Sequence, residues 1–158
     1  MRYFLIDKVT ELVPGERARG VKCVTLTDEA LHDHFPDFPI LPGALLVEGA
    51  AQLAGLLIEA TVNGPDAPPR RALLVQIDRA KFKETTGPGD RIELTATLEQ
   101  QLEGAARVAV EASVEGRRVA RATLTFMLKQ IDLPRVHEQR QRLYRLWMRD
   151  LDPRPEVF

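Results

Sequence analysis

"HFPDFPILPGALLVEGAAQ", His34 to Gln52, joins a proline-pinned histidine loop to a nearly featureless apolar run. Pro36, Pro39 and Pro42 each fix φ and remove a backbone donor, so residues 35–43 read as a stiff extended loop and not as helix. Pro42 is well placed beside a helix start, and good helix formers continue from Gly43 to about Val62. "NGPDAPP", Asn63 to Pro69, ends that helix in an exposed loop. Between Ala44 and Ile58 the only polar side chains are Glu48 and Gln52. A carboxylate in so apolar a run requires a reason.

The rest of the chain supplies what the helix needs for company. "RALLVQIDRAKF", from Arg71, is a strand candidate, and "GPGD", Gly87 to Asp90, is a turn. "RIELTATL" then alternates cleanly, with Ile92, Leu94, Ala96 and Leu98 on one face. "ARVAVEASV" repeats the pattern through Val108, Val110, Ala112 and Val114. After a turn at Glu115 and Gly116, "RRVARATLTFML" places Ala122, Leu124, Phe126 and Leu128 on one face. Three half-buried strands joined by short turns form an antiparallel meander. The simplest architecture is α+β: a curved antiparallel sheet wrapped around the helix Gly43–Val62. The small residues Gly49, Ala50, Ala51, Ala54 and Gly55 let strands approach it closely.

Upstream, "GVKCVTLT", Gly20 to Thr27, is a strand candidate whose buried face is open, and "VPGERARG", Val13 to Gly20, reads as a connecting loop without phosphate-loop spacing. Downstream, "LPRVHEQRQRLYRLWMRDL" reads as an amphipathic helix with Leu143, Tyr144, Trp147 and Leu151 on one side, packed on its own domain. The expected organisation is a domain over residues 1–130 and an appended helical extension over 131–158.

A chain of 158 residues fits one domain. Twenty-two Lys and Arg against 23 Asp and Glu give a formal net charge of -1, so no global field points to nucleic acid or an anionic membrane. The single cysteine, Cys23, excludes an intrachain disulfide and reads as a small core residue. No secretory signal is visible at the start, and the apolar stretch Leu45–Ile58 is short for a membrane span of roughly 20 residues. The expectation is a cytoplasmic protein.

On a helix, Glu48, Gln52, Gly55 and Glu59 make one narrow polar stripe. It is either a solvated edge or, at Glu48, an acid inside an apolar cleft, where desolvation holds the carboxyl protonated. His34 either caps a turn or serves as a base. The second choice in each case assembles a base, a preorganised amide at Gly43 and an acid one turn on. His32 and His34 have no third ligand at metal spacing. His137, in the charged tail helix, reads as solvated.

These residues carry a resemblance. "HFPDFPILPGALLVEGAAQ", with fourteen residues from His34 to Glu48, resembles the signature of the beta-hydroxyacyl-acyl carrier protein dehydratases of the FabZ and FabA type. "IDRAKFKETTGPGDRIEL", Ile77 to Leu94, is similar to that family's Lys-Phe segment followed by Pro-Gly-Asp and a strand. The resemblance covers roughly residues 1 to 130. It implies a hot-dog fold and a homodimer, able to assemble further, in which His34 of one subunit faces Glu48 of the other. It implies removal of water from (3R)-3-hydroxyacyl thioesters linked to acyl carrier protein, giving trans-2-enoyl thioesters. His34 takes the C2 proton, Glu48 protonates the leaving hydroxyl, and the Gly43 amide polarises the thioester carbonyl. Gln52, Phe35 and Phe82 bind substrate, and neither metal nor organic cofactor is needed. Glutamate at position 48 resembles the simple dehydratase branch and not the isomerising one. Alternatives with the same fold are an enoyl-CoA hydratase, a thioesterase, or a silent acyl-binding protein.

The chain departs from the family pattern at Asp33 and Asp37, where glycine is usual, and at "KETTGPGD", which lacks Arg-Pro-Val. A carboxylate facing His34 would weaken it as a base. The arginine-rich tail helix offers an alternative role as a docking surface for an acidic carrier protein.

Overall fold

The computed structural model describes residues 3–158. Helix α1 runs over Gly43–Val62, between the proline loop and the Asn63–Pro69 breaker, as the sequence predicts. Six strands surround it: β1 (Lys8–Val13), β2 (Arg17–Cys23), β3 (Arg70–Phe82), β4 (Arg91–Gln101), β5 (Ala105–Val114) and β6 (Arg117–Gln130). They form one antiparallel sheet in the order β1-β2-β4-β5-β6-β3. The sheet curls so that every strand touches α1.

The alternation read in the meander holds. Ile92, Leu94 and Ala96 of β4, Val108, Val110, Ala112 and Val114 of β5, and Ala122, Leu124, Phe126 and Leu128 of β6 are all buried. Leu98 is partly buried against the same core. Glu115 (φ +50) and Gly116 (φ +77) both sit in the left-handed region, giving β5 and β6 the two-residue turn whose twist suits a hairpin. Against this face Leu53, Leu56, Leu57 and Ile58 of α1 lose all solvent contact, each contributing about 1.5–3 kcal/mol. By length and hydropathy α1 matches a membrane span, but most of its apolar residues are buried within the fold. Gly49 lets the N-terminal segment approach the helix, since a Cβ there would meet the Leu5 carbonyl oxygen at 3.0 Å.

The N-terminal reading needs three corrections. Residues 13–20 are not simply a connecting loop: only Pro14–Glu16 turn, and from Arg17 the chain is already β2, ending at Cys23 and not at Thr27. β1 was hidden because a register shift between Val9 and Glu11 spaces its buried residues, Val9 and Leu12, three apart instead of two. Cys23, the last residue of β2, is exposed and not in the core.

Helix α2, Pro134–Trp147, packs on the domain through buried Tyr144 and Trp147. It is fastened by a buried polar cluster. Arg71 Nη1 donates to Glu59 Oε2 at 2.7 Å and to the Phe158 carbonyl at 3.0 Å, while Tyr144 donates to Glu59 Oε2 at 2.8 Å. The Ala72 amide donates to Glu59 Oε1 at 3.1 Å. His137 is therefore not solvated: its Nδ1 accepts from Arg71 Nε and Nη2, at 3.0 and 2.8 Å, and its Nε2 donates to the Ile131 carbonyl at 2.7 Å. Charged neighbours in sequence disguised it, because on the helix its own face turns toward β3.

Candidate active site

After β2 the chain leaves the sheet through a short helical turn, Glu29–Leu31, whose Leu31 is buried. Residues 35–38 then close a tight turn, with Phe38 N–H donating to the Phe35 carbonyl at 2.9 Å and Phe35 N–H donating back to the Phe38 carbonyl at 3.0 Å. Pro36 and Asp37 are its central residues, and Asp37 has φ +63. Such a turn wants glycine at its second central position. Aspartate is among the few residues that tolerate the left-handed region, so Asp37 keeps the loop shape. Asp33 and Asp37 are exposed, and neither is hydrogen-bonded to His34 among the described residues.

His34 is bracketed by Ile40. The Ile40 amide donates to the His34 carbonyl at 2.8 Å, and His34 Nδ1 lies 3.0 Å from the Ile40 carbonyl. A carbonyl only accepts, so Nδ1 carries the proton and the neutral ring keeps its lone pair on Nε2. Phe35 stacks on the imidazole with centroids 4.5 Å apart. The loop is braced from behind: the Leu41 amide donates to the Thr86 carbonyl at 2.7 Å, and a Cβ on Gly87 would lie 2.9 Å from the Pro39 carbonyl. This orientation of the His34 ring was foreseeable only in outline, since the partner carbonyl is six residues away.

Pro42 occupies the N-cap position of α1 without a side-chain cap, and Gly43 is the first helical residue. The Leu45 and Leu46 amides return to the Pro42 carbonyl, at 2.9 and 3.2 Å, whereas the Gly43 amide has no partner among the described residues. No acidic side chain stands in the first turn, so the positive end of the helix is left for something else. The half-exposed Phe82 ring packs against Gly43, where an added Cβ would be 2.9 Å from its Cε1.

One turn further along α1, Glu48 is half-buried and accepts from Gln52 Nε2 at 3.0 Å through Oε1. Gln52 Nε2 also donates to the Tyr3 carbonyl at 3.1 Å, and its Oε1 accepts the Leu5 amide at 3.0 Å. Both ends of the amide are thus engaged, pinning the N-terminal segment to the helix and aiming the carboxyl. Glu48 Oε2 has no hydrogen bond within the chain among the described residues. The polar stripe therefore divides: Glu48 and Gln52 are partly open, while Gly55 and Glu59 are buried.

Within one chain no hydrogen bond or ion pair joins His34 to Glu48. His34 stacks with Phe35 in the loop and Gly43 meets Phe82 at the helix start, while Glu48 stands on the helix flank. A cleft of about 240 Å³ opens between the N-terminal segment and the start of α1, with Phe4, Leu5, Leu41 and Leu45 as its apolar wall and Lys22 and Asp28 on its polar side. Lys22 and Asp28 pair at 3.2 Å. No pattern in the sequence announced this cleft.

The FabA-like domain model matches residues 1–123. The chain is 38% identical over 123 residues to the 3-hydroxyacyl-[acyl-carrier-protein] dehydratase FabZ of Polynucleobacter asymbioticus, covering 78% of this chain and 80% of that one. It is 40% identical over 123 residues to the FabZ of Lactobacillus helveticus, covering 78% and 81%. Among solved structures, the TT0310 protein of Thermus thermophilus superposes with a TM-score of 0.59 at 26% identity, over 76% of this chain and 89% of that one. The dehydratase heterocomplex ApeI:P of Xenorhabdus doucetiae superposes with a TM-score of 0.58 at 16% identity, over 74% and 92%. The sheet wrapped around α1 is the hot-dog fold. With a proline-braced histidine loop feeding an uncapped helix, and a family match that spans both, the chain belongs to the FabA-like domain family of the FabZ type.

Proposed function

We propose that the protein is a 3-hydroxyacyl-[acyl-carrier-protein] dehydratase that removes water from (3R)-3-hydroxyacyl thioesters, in the cytoplasm, for fatty-acid or related lipid synthesis. The observation that carries the reading is the Ile40 bracket on His34, which leaves Nε2 as the free base. His34 Nε2 takes the C2 proton. The C2–H electrons form the C2=C3 bond as the C3–O bond breaks. Glu48, in its acid form, gives its proton to the departing hydroxyl, which leaves as water. Charge that accumulates on the thioester oxygen is met by the Gly43 amide and the helix end. Phe35 and Phe82 flank the acyl group. Gln52, expected from the sequence to touch substrate, serves instead by holding Glu48.

The base and the acid stand on separate elements, and the edge of the sheet offers the means to bring them together. β3 is an edge strand with Leu73, Val75 and Ile77 exposed, at 38%, 55% and 49%. Open backbone groups and an apolar row on one edge favour pairing with a second copy. In that homodimer His34 of one subunit serves with Glu48 of its partner. Residues 131–158 form an extension to this machinery and supply none of its reacting groups.

The test is turnover of short (3R)-3-hydroxyacyl thioesters, followed by enoyl absorbance or mass spectrometry. Water loss is expected; none across several acyl lengths, on either carrier protein or coenzyme A, overturns the assignment. Gly43→Ala probes the carbonyl seat. The new methyl displaces Phe82, whose half-exposed ring is free to move, and alanine suits a helix better than glycine. Stability therefore holds within about 1 kcal/mol, while kcat/KM falls by about 100-fold, the scale of a 1 Å misplacement.

A further inference from the structure

On the sheet face opposite α1, a concavity of about 500 Å³ opens across β3, β6 and β5, lined by Arg79, Lys81, Glu111, Arg121 and Thr123. Its charges are unbalanced. Lys81 and Arg121 are direct partners across β3 and β6, and Glu111 stands opposite Arg121 on β5. The Glu111 carboxylate is already engaged by Arg118 Nη1 at 2.7 Å. None of Arg79, Lys81 and Arg121 forms an ion pair among the described residues. Like charges placed directly opposite on a sheet are destabilising, and here a third cation joins them.

The backbone is shaped for the concavity as well. β3 loses register with β6 between Asp78 and Lys81, and Arg79 takes φ +53. A left-handed arginine costs about 1–2 kcal/mol, and bulges of this kind re-aim side chains beside functional sites. The bulge ends one residue before Phe82, the ring that lies on Gly43. Successive strand residues point to opposite faces. Lys81 and the Gly43 seat therefore lie on the two sides of one edge strand.

We propose that Arg79, Lys81 and Arg121 form an anion site for the phosphate that adjoins a pantetheine arm, the arm passing the Phe82 end of β3, beyond the Leu73–Ile77 row offered to the second copy, to place its thioester at Gly43. The inference rests on the dehydratase reading for the position of the thioester. Two guanidinium forks and an ammonium suit phosphate oxygens in particular. A pocket of this size takes a small anion and not a helix of a protein. The phosphate is shared by a carrier protein's arm and by coenzyme A, so the experiment includes both.

Calorimetry of the wild type with 4′-phosphopantetheine and with pantetheine is the first arm. Binding at least about 10-fold tighter with the phosphate is expected, the scale of a hydrogen bond to a charged group, and Lys81→Gln/Arg121→Gln abolishes the difference. Equal binding of the two compounds by the wild type overturns the proposal. In the second arm one acyl group is offered on N-acetylcysteamine, on coenzyme A and on carrier protein. In the double variant, kcat/KM for both phosphate-bearing substrates relative to the phosphate-free one falls by about 10- to 100-fold. Arg79→Gly, which suits the φ of that position, lowers the same ratio with the backbone retained. A uniform loss across all three substrates, or a loss confined to coenzyme A or to carrier protein, overturns it. Because calorimetry requires no turnover, phosphate-dependent binding by a protein that dehydrates nothing would retain the anion site and reject the dehydratase reading.

Discussion

His34→Ala is expected to lower kcat for a short (3R)-3-hydroxyacyl thioester by about 1000-fold or more, within the range for loss of a positioned acid or base. The Ile40 carbonyl orients the wild-type ring through Nδ1 at 3.0 Å, so the deletion removes a ring whose tautomer and direction are already set. Glu48→Gln is expected to cost a similar factor, because an amide accepts from Gln52 as the carboxyl does but gives no proton to the leaving hydroxyl. KM should change little in either variant, since the lost interactions belong to the transition state. The double variant should be scarcely worse than either single one, as for groups that act as a unit. Both positions are at least partly exposed, and unfolding midpoints should stay near wild type. Turnover retained within about 10-fold in His34→Ala, far short of the loss of an acid or base, would remove the imidazole from the mechanism.

Arg71→Met is expected to destabilise the fold by about 3–5 kcal/mol, the cost of leaving one member of a buried pair uncompensated. Glu59 and Arg71 are 2% and 1% exposed, and Glu59 would keep only the Tyr144 hydroxyl and the Ala72 amide. The same change removes both donors to His137 and the bond to the Phe158 carbonyl, so α2 should loosen first. A fall in the urea midpoint, with earlier hydrogen exchange over residues 134–147, is the measured outcome. Glu59→Met/Arg71→Met should recover part of the loss, because no buried charge then remains. An unchanged midpoint in Arg71→Met would mean that the extension is held by Trp147 and its apolar neighbours alone. The cluster also sets an alkaline limit. Burial foremost, then the Glu59 charge, pushes the Tyr144 phenol well above its ordinary value. The unfolded chain releases that proton near pH 10 while the native protein keeps it. The contribution is therefore complete below about pH 10 and declines as the pH rises beyond it.

The sequence carried α1, β3 and the meander β4 to β6, because each is decided by short-range chemistry. Prolines and an Asn-Gly-Pro break bound the helix, and a period of two marks each strand. It also offered His34, Gly43 and Glu48 as candidates, because a histidine loop, a helix start and a lone carboxylate are adjacent in the chain. Four features were set by the folded backbone and its contacts and not by the pattern of residue types. β1 was concealed by its bulge, and Cys23 faces solvent because β2 ends there. Asp37 looked like a threat to His34, yet serves as the left-handed residue of a turn. His137 looked solvated until the fold set it against Arg71, 66 residues away. Glu48 and Glu59 share one stripe of α1 and could not be told apart by periodicity. Packing separates them: the N-terminal segment and Gln52 leave Glu48 partly open, whereas β3 and α2 close over Glu59 and give it a guanidinium, an amide and a phenol. Burial and partner, which decide whether a carboxylate is an acid or a fastening, are properties of the assembled sheet and helices and not of the helix alone.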